Sequence, residues 1–297
     1  MKILILGSTG MLGSAVLSEL YQHSKFDIFA TFKDSKKKDL LLKKIKQDNK
    51  KNIKIINDDI LKISDLKLKN LISKMDIIIN CIGLIKQKIH NPKDEKNAIK
   101  LNSSFPEKLN FLKKKKQKIY QIATDCVFSG KKGGYNENDF HDFEDAYGLS
   151  KSQGEIIDKN FFNIRCSLIG YEFKSNNSLF NWFMHTTHKS AVKGYSNHIW
   201  SGVSNVVFAK IINQIIKSKI SLPNNFHLIP SDKISKYNIL KFLNKMRKKS
   251  IKLIEYKTKQ KIDRTLSTNY KDLNLEIWNK TFKKQLTIRE ILRDYIY

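Results

Sequence analysis

The chain has 297 residues, 40% of them hydrophobic, enough for a real core in one large domain or two ordinary ones. Its formal charge of +28 comes from lysines spread along the chain beside only five arginines, which points to solvated surface charge with a weak pull on anions and away from a specific nucleic-acid reader. The three cysteines, Cys81, Cys126 and Cys166, are far apart and form no CxxC, which argues against zinc or a disulfide framework and for a reduced, cytoplasmic setting.

The apolar start is interrupted by glycines at 7, 10 and 13 and is followed by no small-residue cleavage site, so it does not read as a signal peptide. KILIL at 2–6 reads as a buried parallel strand, GSTGMLG turns the chain, and 11–23 has helical spacing. A second strand is expected at 27–32, then a basic helix, then strands at 53–58 and 76–83. The apolar stretch from Ile77 to Ile85 is too short to span a bilayer. A helix is expected at 95–115, bent or restarted at Pro106. A strand at 118–124, a helix at 146–159 and a strand at 161–167 complete the series. This alternation predicts an α/β fold, a doubly wound parallel sheet covered on both faces, with ligands at the carboxyl ends of the strands. After 167 the rhythm loosens, with helices expected at 178–188, 203–218 and 235–249 and a strand at 225–230. The expected division is a nucleotide-binding domain at 1–167 and a smaller, mainly substrate-covering α/β domain at 168–297, part of 190–218 returning to the first. No repeat or linker is evident.

Gly7, Gly10 and Gly13 have the spacing G-x-x-G-x-x-G between the first strand and the first helix. The first permits a tight turn, the second admits a diphosphate to the backbone, and the third lets helix and strand pack closely. The helix N-terminus adds free N–H groups and partial positive charge. The second strand ends in ATFKDSKK, with Lys33 where an NAD site usually carries an acid. A 2′-phosphate is favoured there, so NADP(H) is expected, with NAD(H) also possible and Asp34 the contrary sign.

Three Tyr-x-x-x-Lys pairs occur: Tyr21/Lys25, Tyr147/Lys151 and Tyr237/Lys241. The middle pair alone begins the helix after the fifth strand, whose carboxyl edge carries Thr124. Residues four apart share a helix face, so Tyr147 and Lys151 can point together into the cleft.

The set GSTGMLG, NCIG, TDCVFSG, YGLSK and IRCSLIG resembles the extended short-chain dehydrogenase/reductases, which have a Rossmann-type fold, and within them the dTDP-4-dehydrorhamnose reductase family. The resemblance runs nearly end to end and reaches RTLSTNYKDL at 264–273. It implies that Tyr147 is the general acid toward a sugar keto oxygen, that Lys151 holds the nicotinamide ribose and lowers the phenol's pKa, and that Thr124 orients the same oxygen. It also implies Met11 and Leu12 beside the glycines at the phosphates, Asp59 and Ile60 near the adenine, and Cys81, Ile82 and Gly83 along the cofactor. Lys86, Thr124, Asp125 and Trp200 are implied at the substrate, although Trp200 reads equally as a core tryptophan. Two positions depart from the family's usual pattern: Cys126 stands where an aromatic residue is common, and CSLIG at 166–170 replaces a Thr-Ser-Trp run. Both the dTDP-linked sugar and a UDP-linked 2-acetamido-2,6-dideoxy-hexulose of surface-polysaccharide synthesis therefore stay open. The partner implied is a nucleotide sugar, with a homodimer among the options. The competing class is a cofactor-binding regulatory subunit that does no chemistry.

Other constellations point nowhere. His185 and His188 are three apart without HExxH, so no metal is expected; GxSxG is absent; and the side chains of Asp58 and Asp59 diverge.

Overall fold

Strands and helices alternate up to Arg165: β1 (Lys2–Leu6), α1 (Met11–His23), β2 (Asp27–Thr31), α2 (Ser35–Ile45), β3 (Lys54–Ile56), α3 (Asp65–Ile72), β4 (Ile77–Asn80), α4 (Pro92–Ile99), α5 (Phe105–Leu112), β5 (Lys118–Ala123), α6 (Ala146–Gln153) and β6 (Phe161–Arg165). The computed structural model describes residues 1–45, 53–172, 178–187, 191–247 and 250–296. Beyond Arg165 the elements are shorter: β7 (Ser167–Ile169), α7 (Leu179–His185), β8 (Val192–Tyr195), β9 (His198–Trp200), β10 (Gly202–Ser204), α8 (Asn205–Lys217), β11 (Asn225–His227), β12 (Ile234–Ser235), α9 (Lys236–Lys245), β13 (Leu253–Tyr256), β14 (Ile262–Asp263), α10 (Lys271–Phe282) and α11 (Ile288–Asp294). The expected helix ends at His188, Lys248 and Lys249 lie outside the described residues.

Seven parallel strands form the main sheet in the order β11-β6-β5-β4-β1-β2-β3. This is the Rossmann-type doubly wound arrangement, and the order reverses between β1 and β4. The pleat sends alternate residues to opposite cores. Ile3, Ile5, Ile77 and Ile79 join one core, while Leu4, Leu6 and Ile78 join the other. Because both faces are covered, these strands read as unbroken apolar runs. The second core is closed by Leu68 and Ile72 of α3 and by Phe105, Leu109 and Leu112 of α5.

The chain returns to this sheet after Arg165. The apolar face of α8 packs on α1, with Val207, Phe208, Ile211, Ile212 and Ile215 in one core with Leu12, Val16, Leu17 and Leu20. Burying each such side chain contributes about 1.5–3 kcal/mol. Asn213 Nδ2 donates to Glu19 Oε1 at 2.8 Å, which fixes the helices' register. The strand β11 extends the main sheet beside β6. Smaller sheets, β10-β7, β12-β9-β14 and β13-β8, cover the carboxyl-end side with α7 and α9. Among the described residues no helix is long and apolar enough to cross a membrane.

Candidate active site

At the end of β1, Gly7 takes a φ of +78°, in the left-handed region that a side chain strains. Its N–H donates to Thr31 Oγ1 at 3.1 Å, and its carbonyl accepts from Gly10 N–H at 3.0 Å. A Cβ on Gly13 would lie 2.1 Å from the Gly7 oxygen, so only glycine allows α1 to start this close to the loop. Gly10 is the N-cap of α1 and makes no side-chain cap bond, which leaves the first-turn N–H groups for a ligand. This uncapped helix start behind a tight turn fits a diphosphate. Gly10, Met11 and Leu12 line the adjoining cleft, whereas Gly7 and Gly13 sit within the turn. Lys33 and Asp59 form an exposed ion pair at 3.2 Å beyond the ends of β2 and β3. The side chain of Ile60 is buried in the second core.

The cleft, about 880 Å³, opens at the carboxyl ends of β4, β5 and β6. Cys81, Ile82 and Gly83 line it after β4, Thr124, Asp125 and Cys126 after β5, and Cys166 and Ser167 after β6. The three cysteines, distant in sequence, thus meet because they follow three adjacent strands. Burial pushes the Cys81 and Cys126 thiols up to about 12 and raises Cys166 as well, so all three are neutral. Among the described residues no group of His, Cys, Asp and Glu is arranged to hold a metal ion.

Thr124 caps a short turn: its Oγ1 accepts from Cys126 N–H at 3.2 Å and donates to Asp125 Oδ1 at 3.3 Å. Tyr147 lies in the first turn of α6, whose N-cap Asp145 accepts from Gly148 N–H at 2.8 Å. Burial raises the Tyr147 phenol well above its ordinary value, and the neighbouring Thr124 hydroxyl pulls the other way. Lys151, one turn on, is buried, and its Nζ donates to the Ile122 carbonyl at 2.5 Å. Burial lowers its pKa to about 8, with Glu155 opposing the fall.

Charge gathers around the same cleft. Asp125 is a buried carboxyl raised by burial and steadied by Arg264, Ser167, Thr124 and Lys236. Arg264, just after β14, donates from Nε to the Phe128 carbonyl at 2.7 Å, and Lys236 opens α9. Lys86 pairs with Asp145 at 2.6 Å on the rim. Sequence reasoning did not single out Lys236, which is one lysine among many; Arg264 lay inside the flagged segment 264–273. It also missed Asn102, whose amide bridges the Leu84 backbone and Ser150 Oγ and so ties the loop after β4 to α6. Trp200 belongs to a core and to the cleft at once, with its Nε1 donating to Ser167 Oγ at 2.8 Å. His185 bonds within its own helix, to the Asn181 carbonyl, and His188 lies outside the described residues. Asp58 pairs with Lys67 while Asp59 pairs with Lys33, so those carboxylates do diverge.

Solved structures share this architecture over nearly their whole length. A dTDP-4-dehydrorhamnose reductase from Clostridium acetobutylicum is 21% identical, with a TM-score of 0.70 over 100% of this chain and 98% of that one. The reductase of the same name from Bacillus anthracis, solved with NADP, is 18% identical, with a TM-score of 0.72 over 98% and 96%. A UDP-glucuronic acid 4-epimerase from Bacillus cereus, solved with UDP-glucuronic acid and NAD, is 16% identical, with a TM-score of 0.77 over 98% and 96%. No curated protein sequence matches the chain. The family model described as RmlD substrate binding domain matches residues 1–297, and the chain therefore belongs to that family.

Proposed function

We propose that the chain reduces the 4-keto group of a nucleotide-activated 6-deoxy sugar, using NADPH in preference to NADH. Its family makes it an NAD(P)H-dependent oxidoreductase of the dTDP-4-dehydrorhamnose reductase kind. The finer reading is carried by one observation: Thr124 and Tyr147 share a single cleft with Lys236 and Arg264. A proton donor and a cation pair in one space suit a substrate with a ketone at one end and a diphosphate at the other.

Held at its diphosphate by Gly10, Met11 and Leu12, NADPH would supply a hydride to the keto carbon. The carbonyl electron pair moves to oxygen, and that oxygen takes the proton of the Tyr147 hydroxyl. Its raised pKa keeps the phenol protonated until then. Thr124 orients the oxygen, and Lys151 holds the ribose and favours the phenolate left behind. Residues 1–167 hold the cofactor, and most of 168–297 covers the sugar. Cys126 and Leu168, both lining the cleft, stand where relatives commonly carry aromatic rings. The smaller side chains leave room for a 2-acetamido group, so UDP-2-acetamido-2,6-dideoxy-hexuloses and dTDP-4-dehydrorhamnose are the substrates to compare. The test follows NADPH absorbance with each sugar. Turnover that disappears in Tyr147→Phe while NADPH still binds supports the proposal. NADPH binding without turnover on any sugar identifies a non-catalytic cofactor binder instead.

A further inference from the structure

The cleft carries an imidazole for which the reduction itself has no use. His198 opens β9, the middle strand of the small sheet β12-β9-β14. Strand β14 runs parallel to β9 with Asp263 opposite Ile199, and β12 runs antiparallel with Ser235 opposite the same residue. The next residues, Lys236 and Arg264, therefore come level with His198 and Trp200. Side chains alternate across a strand, and His198, Trp200, Lys236 and Arg264 all line the cleft. The Tyr195 ring packs against the imidazole, with centroids 4.6 Å apart.

Hydrogen bonds fix the tautomer of this ring. His198 Nε2 lies 3.0 Å from Thr258 Oγ1. That hydroxyl has one proton to give. It goes to the Gln260 carbonyl at 2.6 Å, with Asn197 Oδ1 at 3.0 Å as the alternative acceptor. In either case Nε2 must carry a hydrogen and donate it to Thr258. Nδ1 is then a bare acceptor, and no group among the described residues bonds it. Burial, then Lys236 and Arg264, lower the pKa of the ring, so the lone pair stays unprotonated. A lone pair repels phosphate oxygens, which belong to the two cations; what it can take is a neutral donor beside them. In a nucleotide sugar the anomeric carbon bears the diphosphate, and the nearest such donor is the C2 substituent, the O–H of a hydroxyl or the N–H of an acetamido group. We propose that His198 is a specificity-determining residue whose Nδ1 accepts the hydrogen of the C2 substituent. The inference rests on the proposed reductase reading, in which Lys236 and Arg264 hold the diphosphate.

Nucleotide sugars that already carry a 4-hydroxyl resemble the product and bind without reacting, so calorimetry on the whole protein reads the contact. UDP-N-acetylglucosamine and dTDP-glucose are compared with UDP and dTDP, which lack the sugar. His198→Phe should weaken both sugar nucleotides by about five- to tenfold and leave UDP, dTDP and NADPH within about twofold of the parent. His198→Asn, whose amide oxygen can stand where Nδ1 stood, should recover most of the loss. Equal weakening of UDP and UDP-N-acetylglucosamine, or His198→Asn no better than His198→Phe, overturns the proposal. Should neither variant fold, the parent decides: in a 15N-histidine spectrum, a bare Nδ1 should move upfield with UDP-N-acetylglucosamine and not with UDP, and the absence of such a signal overturns the proposal equally. Binding needs no turnover. A sugar-dependent loss in a protein that reduces nothing leaves this inference standing and refutes the reductase reading. Full turnover with unchanged sugar affinity in His198→Phe does the reverse, and a parent that binds no nucleotide sugar overturns both.

Discussion

Alanine at Gly13 would place a methyl group 2.1 Å from the Gly7 oxygen, 2.8 Å from its carbonyl carbon and 3.1 Å from Ser8 Cα. All three are backbone atoms, so no rotamer relieves the clash. Restoring ordinary contact at 3.4 Å requires 3.4 minus 2.1, or 1.3 Å, of movement between α1 and the loop. Overpacking of this kind costs about 1–3 kcal/mol, and alanine's better helix propensity returns about 1 kcal/mol. The net loss is about 1 kcal/mol, and each kcal/mol lowers the melting temperature of a chain this large by about 2–4 °C. Cofactor binding should suffer more. A loop moved by this much loses at least one charge-assisted bond to a phosphate, worth about 1.5–3 kcal/mol, so NADPH should bind at least about tenfold more weakly. Gly10→Ala is the control, because its Cβ would meet nothing closer than the Gly7 oxygen at 3.4 Å, and it should melt with the parent. Circular dichroism melts and NADPH fluorescence titrations read both effects. A Gly13→Ala protein with the parent's melting temperature and NADPH affinity would refute the claim that backbone contact sets this loop.

His227 is held down to about 4 by burial, against 6.5 when free. Its folded pKa is the lower one, so its stabilisation is complete above about pH 6.5 and is lost as pH falls toward 4, by at most about 3 kcal/mol. His227→Gln should flatten that stretch of a urea-stability profile, and an unchanged slope would count against the assignment. Lys236→Ala should raise KM for the sugar nucleotide by about tenfold or more while NADPH affinity holds; an equal loss in both would make Lys236 merely structural. Trp200→Phe strips Ser167 of its indole donor and should cost about 1 kcal/mol in urea unfolding, so no loss would show that bond to be idle.

The main sheet was legible because burial on both faces writes continuous apolar runs into β1 and β4. The helix α3 was not, because only Leu68 and Ile72 are buried in a segment dotted with lysine, a stripe too narrow to count. The helix expected at 95–115 begins at Pro92 and is interrupted by a wide π turn at Lys100–Ser104. Pro106 has no N–H for the Asn102 carbonyl four residues back, and Gly154 of the α6 cap packs against that carbonyl instead. In the second half most strands have two to four residues, too short for any periodicity. The glycine turn and the Tyr147/Lys151 spacing are local patterns and could be read directly. The convergence of the cysteines, and the approach of Lys236 and Arg264, depend on strand order and chain return, which no local pattern encodes.

The connection between β5 and α6 explains how such distant pieces form one site. It begins with Thr124 and Asp125 and ends at Tyr147, and its middle is clasped by the segment that carries Arg264. Glu137 Oε1 accepts from His227 N–H at 3.0 Å and Thr268 Oγ1 at 2.5 Å, and Oε2 from Asn269 N–H at 2.8 Å. Tyr135 pairs by its backbone with residues 265 and 267, and Arg264 itself bonds the Phe128 carbonyl. Tyr147 and Arg264 are thus set by one loop, buttressed from behind by Arg165 stacked 5.2 Å from Phe128. A change at Glu137, which touches no part of the cleft lining, should therefore disturb sugar binding and proton transfer together. Separate supports would have let the two fail independently.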